Sequence, residues 1–168
     1  MITIVSGTNR KGSNTKKIAL IYQQLLLKKG ITAGLFSLEG IALMQRDTAF
    51  EAIEQDIIIP TTHFVFIVPE YNGSFPGVLK MLFDTSKSHD IWYHKKALLT
   101  GVATGRAGNL RGMDHLADIL NYLKITVHPN KLPISAVNFL MDTDGNITDL
   151  NTIKAIDHQI DEFIDWIK

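Results

Sequence analysis

Short apolar runs punctuated by glycine, proline or serine alternate along this chain with longer stretches whose apolar residues recur every three or four positions. Ile2 to Val5, His63 to Val68, Ala97 to Ala103 and Ile125 to His128 are runs of the first kind, rich in β-branched and aromatic residues. Their near-continuous apolarity predicts strands covered on both faces. Ile18, Ile21, Tyr22, Leu25 and Leu26 keep helical spacing, and lysines followed by Gly30 close that helix. Val78, Leu79, Leu82 and Phe83 predict a second helix starting near Pro76. Leu116, Leu120 and Leu123 predict a third, and Ile153, Ile156, Ile160, Phe163, Ile164 and Ile167 a terminal one. The uncharged stretch between Asp56 and Glu70 reads as a buried strand, too short and too interrupted by Pro60 to His63 to span a membrane. This rhythm predicts an α/β chain built as an open parallel sheet with helices on both faces.

Composition narrows the function classes. The 168 residues suit one domain, 1–168. Seventeen Lys and Arg balance seventeen Asp and Glu, which argues against a nucleic-acid or anionic-membrane partner. With no cysteine there are no disulfides, thiolate nucleophiles or iron–sulfur ligands, so any redox chemistry must come from a bound cofactor. The start of the chain has no cationic leader, and a cytoplasmic location is expected. Charge is uneven: residues 1–30 hold six cations and no acid, whereas residues 31–60 hold five acids and only Arg46. Solvated helix faces explain much of this, but Arg10 and Lys11 stand where an anion would bind.

Open parallel sheets bind ligands beyond the carboxyl ends of their strands, so the loops there carry the functional information. The first, Ser6 to Thr15, combines glycines with small hydroxyl residues ahead of a helix. That is a backbone able to turn N–H groups inward onto a phosphate, although a plain turn capped by Ser13 would use similar residues. Gly7 and Gly12 keep the nucleotide-triphosphate spacing, yet Ser13 occupies the position of the required Lys, and G-x-G-x-x-G is absent. A monophosphate fits what remains. The second loop, Val68 to Pro76, has two prolines bracketing Asn72-Gly73. It predicts a rigid ledge of exposed N–H groups for a flat heterocycle, or merely a strand-to-helix turn with Pro76 at the first helical position. A third, Thr100 to Asn109, again places glycines after a strand.

Gly7-Thr-Asn-Arg-Lys-Gly-Ser13 and Pro69-Glu-Tyr-Asn-Gly-Ser74, together with Leu79-Lys80, resemble the NADPH-dependent FMN reductase family, flavodoxin-like enzymes that include quinone, chromate and azo-dye reductases. Thr8 stands where the family usually has Ser, and Met81 and Thr85 replace an Asn and an aromatic common in its next helix. Residues 37–50 lack the usual prolines. The resemblance implies a flavodoxin-like sheet of five parallel strands and a homodimer or dimer of dimers. It also implies FMN as cofactor, NADPH or NADH as transient donor, and a small-molecule acceptor such as free flavin, a quinone or another oxidant. It implies that Thr8, Arg10, Ser13, Asn14 and Thr15 hold the FMN phosphate. Pro69, Glu70, Tyr71, Asn72, Gly73 and Ser74 would lie along the isoalloxazine, with N–H groups near Tyr71, Asn72 and Gly73 bonding its heteroatoms. Thr104, Gly105 and Arg106 would close the pyrimidine side. The flavin then does the chemistry, and no protein residue is expected to be catalytic.

Phe75, Phe83, Trp92 and Tyr93 are aromatics that a partner could meet, or else core residues. The six histidines have no metal-ligand spacing, Asp142 to Asn146 reads as a turn rather than a calcium loop, and Asp114-His115 as a surface pair. Two rival readings share parts of this pattern: a flavodoxin-like electron carrier, which would typically be acidic, and a non-enzymatic nucleotide-binding module using the first loop alone.

Overall fold

A computed structural model describes residues 1–168. Strands β1 (Ile2–Ser6), β2 (Ala33–Ser37), β3 (His63–Pro69), β4 (Lys96–Val102), β5 (Thr126–Val127) and β6 (Leu132–Ile134) form one parallel sheet. Its order is β2-β1-β3-β4-β5, with β6 also paired to β4. Helices α1 (Asn14–Lys28), α2 (Thr48–Ile53), α3 (Gly77–Asp84), α4 (Leu110–Tyr122) and α5 (Leu150–Ile167) connect or cover the strands. No helix is long and apolar enough to cross a membrane.

Alternation along the strands explains the two layers of core. Phe64, Phe66 and Val68 point to one face with Leu79, Leu82 and Phe83 of α3 and Met113, Leu116 and Leu120 of α4. Val65 and Ile67 point to the other with Ile18, Tyr22 and Leu26 of α1 and Ile156, Ile160 and Phe163 of α5. Buried on both sides, β1, β3 and β4 carry the long apolar runs that made them legible. Trp92 and Phe83 sit in the first core with ring centroids 4.9 Å apart, and both are almost wholly buried. They therefore belong to the interior and cannot meet a partner chain.

The expected fifth strand is split. β5 pairs with Lys96 and Ala97, β6 with Thr100 to Val102, and the chain between them leaves the sheet at Pro129 and Asn130. Gln159 of α5 fills the gap: its Nε2 donates to Leu99 O at 3.0 Å and Asn130 O at 2.8 Å. Its Oε1 accepts from Tyr22 Oη at 2.5 Å and Thr100 Oγ1 at 3.0 Å. Every hydrogen-bonding group of this buried amide is thus engaged, and two backbone carbonyls at the interruption, those of Leu99 and Asn130, gain a donor. Burial pushes the Tyr22 hydroxyl pKa up, so it stays a neutral donor.

Three further expectations change. The stretch after Asp56 is strand only from His63; Glu54–Ile58 is a π-helical turn that continues α2. β2 was not anticipated: it is an edge strand with Gly34 exposed, and only Ala33 and Phe36 of its five residues are buried. Asp114 and His115 do not pair with each other, since Asp114 meets Lys131 and His115 Nδ1 lies 2.9 Å from Ser74 Oγ. The Asp142–Asn146 segment is a turn, closed by Asn146 N–H on Asp142 Oδ1 at 2.8 Å.

Candidate cofactor-binding site

At the carboxyl end of the sheet, β1 stops at Ser6 and the chain runs into α1 through residues 7–13. Gly7 N–H still reaches across to Ile67 O at 2.9 Å. From there the backbone withdraws from its neighbours, and the N–H groups of Lys11, Gly12, Ser13, Asn14 and Thr15 have no hydrogen-bond partner in the chain. Ser13 caps α1, its Oγ accepting from Lys16 N–H at 3.2 Å. The first turn of α1 carries no acid. Five unpaired donors stand at a positive helix end with nothing local to neutralise them, an arrangement suited to an anion.

These donors line one side of an open cavity of about 260 Å³. Pro69, Glu70 and Tyr71 form its second wall, and Val102, Ala103, Thr104 and Val137 its third. Arg10 and Lys11 also line it, and neither joins an ion pair. Glu70 is its only acid, anchored through its N–H on Val102 O at 3.0 Å. The net charge of the lining is positive, as a phosphate requires.

The remaining expected residues lie elsewhere. Thr8 is almost fully buried and is not part of the cavity wall; its Oγ1 lies 2.8 Å from Tyr71 Oη and accepts from Arg10 N–H at 3.3 Å. Tyr71 to Ser74 close a tight turn, with Tyr71 N–H on Ser74 O at 2.8 Å and Ser74 N–H on Tyr71 O at 3.0 Å. Asn72 (φ 52°) and Gly73 (φ 77°) occupy its tip, the paired left-handed conformation that Asn-Gly favours. Tyr71 N–H is therefore engaged in the turn, which leaves Asn72 and Gly73 N–H as the unpaired donors there. Pro76 is the N-cap of α3, one position before the first helical residue.

Across the cleft Thr104 faces the cavity, whereas Gly105 and Arg106 stand behind it with their carbonyls bonded to Ala136 N–H at 2.9 Å and Ser135 Oγ at 2.8 Å. Just beneath, Gly101 allows β4 to approach the loop before α4, because a Cβ there would lie 2.1 Å from Gly108 O. Val102, Ala103 and Val137 were not anticipated. The first two follow from the strand-end rule; Val137 carries no signal, since it arrives from the distant segment after β6 and is tied in by its N–H on Ala103 O at 3.0 Å. Asn14 Nδ2 donates to Asn138 Oδ1 at 2.8 Å and joins that segment to the cradle rim.

The family model for NADPH-dependent FMN reductase matches residues 1–138. A 2-hydroxy-1,4-benzoquinone reductase of Burkholderia sp is 25% identical over 177 residues, covering 99% of this chain and 96% of that protein. An NAD(P)H-dependent FMN reductase of Pseudomonas aeruginosa is 28% identical, covering 98% and 93%. Among solved structures, the flavoenzyme FerB of Paracoccus denitrificans, an NAD(P)H:(acceptor) oxidoreductase, superposes with a TM-score of 0.83 at 23% identity, covering 99% of this chain and 96% of its own. An FMN-dependent NADH-azoreductase of Bacillus anthracis, solved with FMN, gives 0.64 at 13% identity and covers 96% of each chain. The structural likenesses show the flavodoxin-like fold.

Proposed function

The chain belongs to the NADPH-dependent FMN reductase family, and on that footing we propose that it holds one FMN with the phosphate in the cradle of residues 10–15 and the ring against Pro69 to Ser74. The observation that carries this reading is the run of five unpaired N–H groups beside Arg10. Bound there, FMN would supply the redox chemistry for a reaction between NADPH or NADH and a small oxidant such as free flavin or a quinone. The names of the two relatives support those acceptor classes.

The chain's own residues bind and orient. Lys11 to Thr15 receive the phosphate through backbone donors, Arg10 adds a charge-assisted bond, and Ser13 holds the helix end that presents them. Asn72 and Gly73 offer the unpaired N–H groups that a ring heteroatom requires. Thr104, with Gly105 and Arg106 behind it, closes the opposite side. No side chain need act as nucleophile or metal ligand. We also assign the protein to the cytoplasm and to a homodimer or dimer of dimers, the assembly resting on the family resemblance, with Phe75 and Tyr93 the two aromatics still partly exposed.

Reconstitution tests the reading. Apo protein mixed with FMN and with FAD, then gel-filtered, should retain FMN in roughly 1:1 ratio and FAD more weakly, because the cradle has no adenylate-binding fingerprint beside it. The yellow protein should oxidise NAD(P)H with ferricyanide or a quinone. Preferential retention of FAD, or flavin without turnover, would refute it, the latter favouring an electron carrier. Light scattering at micromolar concentration tests the assembly.

A further inference from the structure

Past Gly7, no backbone hydrogen bond joins the loop after β1 to the loop after β3. Their connection is one side chain. Tyr71 leaves the tight turn and places its hydroxyl 2.8 Å from Thr8 Oγ1, while the Arg10 guanidinium lies over its ring, 4.8 Å from the centroid. The same Thr8 oxygen accepts Arg10 N–H at 3.3 Å. Thr8 is almost wholly buried and Tyr71 half-buried, so the bond is shielded from water on one side. The stacked face of Arg10 leaves its N–H edge without any protein acceptor, and Arg10 lines the cavity.

We propose that Thr8, Tyr71 and Arg10 form a latch that fixes the separation between the phosphate donors at Lys11 to Thr15 and the turn donors at Asn72 and Gly73. The inference rests on the FMN reading above and adds a specificity: the latch selects a ligand that engages both loops at once over one that engages the turn alone. Thr8 is then a positioning residue, acting on the ligand through Tyr71. Arg10 is held over the ring before the ligand arrives, so ordering it at binding loses little conformational freedom. A ligand with only a ring or only a phosphate gains nothing from the fixed separation. A ligand with both gains from each contact only if the two loops keep their spacing.

The test separates positioning from local stability. Thr8→Val and Tyr71→Phe each remove one partner of the bond at nearly constant shape, and the double variant removes both. Each single should weaken FMN about tenfold, and the double should be no weaker than the weaker single, because all three lack the same bond. Apo melting should fall most in Thr8→Val, which strands the Tyr71 hydroxyl and also frees Arg10 N–H, and should recover part of that loss in the double, where no hydroxyl is left unpaired. Affinity should not return with it. Riboflavin, titrated in competition with FMN, should change less than twofold throughout. FMN affinity that follows melting, equal losses for riboflavin and FMN, or effects that multiply in the double would each overturn the latch. A wild-type chain that binds neither flavin overturns the functional reading and the latch with it.

Discussion

Each end of the sheet holds a cation, and the two are in opposite circumstances. At the carboxyl end Arg10 is exposed, pairs with no acid and stands beside five backbone N–H groups without acceptors. At the amino end Lys95 is buried, and its ammonium donates to Ile58 O and Thr61 O at 2.5 Å each and to Ile59 O at 3.2 Å. Ile58 and Ile59 end the helical segment that runs from Thr48 through the π turn and Thr61 follows it, so the cation complements the negative end of the helix. All three donors of Lys95 are engaged; the N–H edge of Arg10 is not. Donors facing acceptors inside the chain stabilise a fold, and donors facing none are available to a ligand. The comparison therefore assigns stability to Lys95 and leaves Arg10 available to a ligand, as the proposed site requires.

Removing the buried cation is the largest expected effect. Lys95→Met keeps the aliphatic stem but leaves three carbonyls without a donor, at about 3 kcal/mol of folding stability. For a chain of this size that is roughly a 6 to 12 °C fall in melting temperature, with FMN affinity of the folded protein unchanged. A calorimetric melt and a flavin titration of the same preparation check both halves. Water entering beside Lys95 through the neighbouring cavity of about 370 Å³ would appear as a smaller fall.

Arg10→Ala should show the reverse. The loss is one charge-assisted bond to the phosphate, worth on the order of 1.5 to 3 kcal/mol, or about ten- to a hundredfold in FMN affinity. Apo stability should barely move, because an exposed cation contributes little to folding. With FMN saturating, turnover should survive, since phosphate binding is shared by ground and transition states. Fluorescence titration and parallel apo melts decide it; equal affinities would remove Arg10 from the site, and a large drop in apo melting would make it structural.

Only the Arg10 half of this contrast was legible in the sequence, and the rest was hidden for identifiable reasons. The cradle could be read because glycine and hydroxyl residues cluster where a strand meets a helix. The strands β1, β3 and β4 could be read because two-sided burial demands unbroken apolar runs. Edge strand β2 lacks that demand, and the split of the fifth strand depends on Gln159, which lies 29 residues beyond the Asn130 carbonyl it bonds. Lys95 looks like any surface lysine until the end of the π turn is placed over it. Thr8 and Tyr71 lie 63 positions apart, and only the register of β1 on β3 brings them together. What sequence conceals here is pairing at long range, which is also what decides whether a polar group is engaged.

The buried cation has a titration signature as well. Burial pushes the Lys95 pKa down from 10.5 to about 8. Between those two values the unfolded chain binds the proton and the folded chain releases it, so stability contributed by this group rises with pH across that window and is flat below it. Solvent reaching the group keeps the gain to roughly 1 to 2 kcal/mol. Other groups titrate there too, so the measurement is the difference between wild type and Lys95→Met across pH 7.5 to 10. A difference that stays constant would show that the three carbonyls hold the proton as firmly as water does.

Ser13 sharpens the contrast most finely, because it belongs to both categories at once. Its hydroxyl accepts from Lys16 N–H, which is a structural bond within α1, while its own N–H is among the unpaired donors of the cradle. Ser13→Ala removes the first and keeps the second. The cap is worth about 0.5 to 1 kcal/mol of stability at a solvent-accessible helix end, so apo melting should fall by roughly 1 to 4 °C. FMN affinity should fall less than tenfold, because the backbone donor remains and only a side-chain hydroxyl, already engaged by Lys16, is lost. Ser13→Pro would remove the N–H itself, and proline's fixed φ near −65° matches the −67° that Ser13 adopts. Its further loss of affinity relative to Ser13→Ala would isolate the backbone donor. If Ser13→Ala instead weakens FMN as much as Arg10→Ala does while leaving melting untouched, the hydroxyl turns from its cap to the ligand on binding, and the division between engaged and available donors fails at the residue where it is drawn most narrowly.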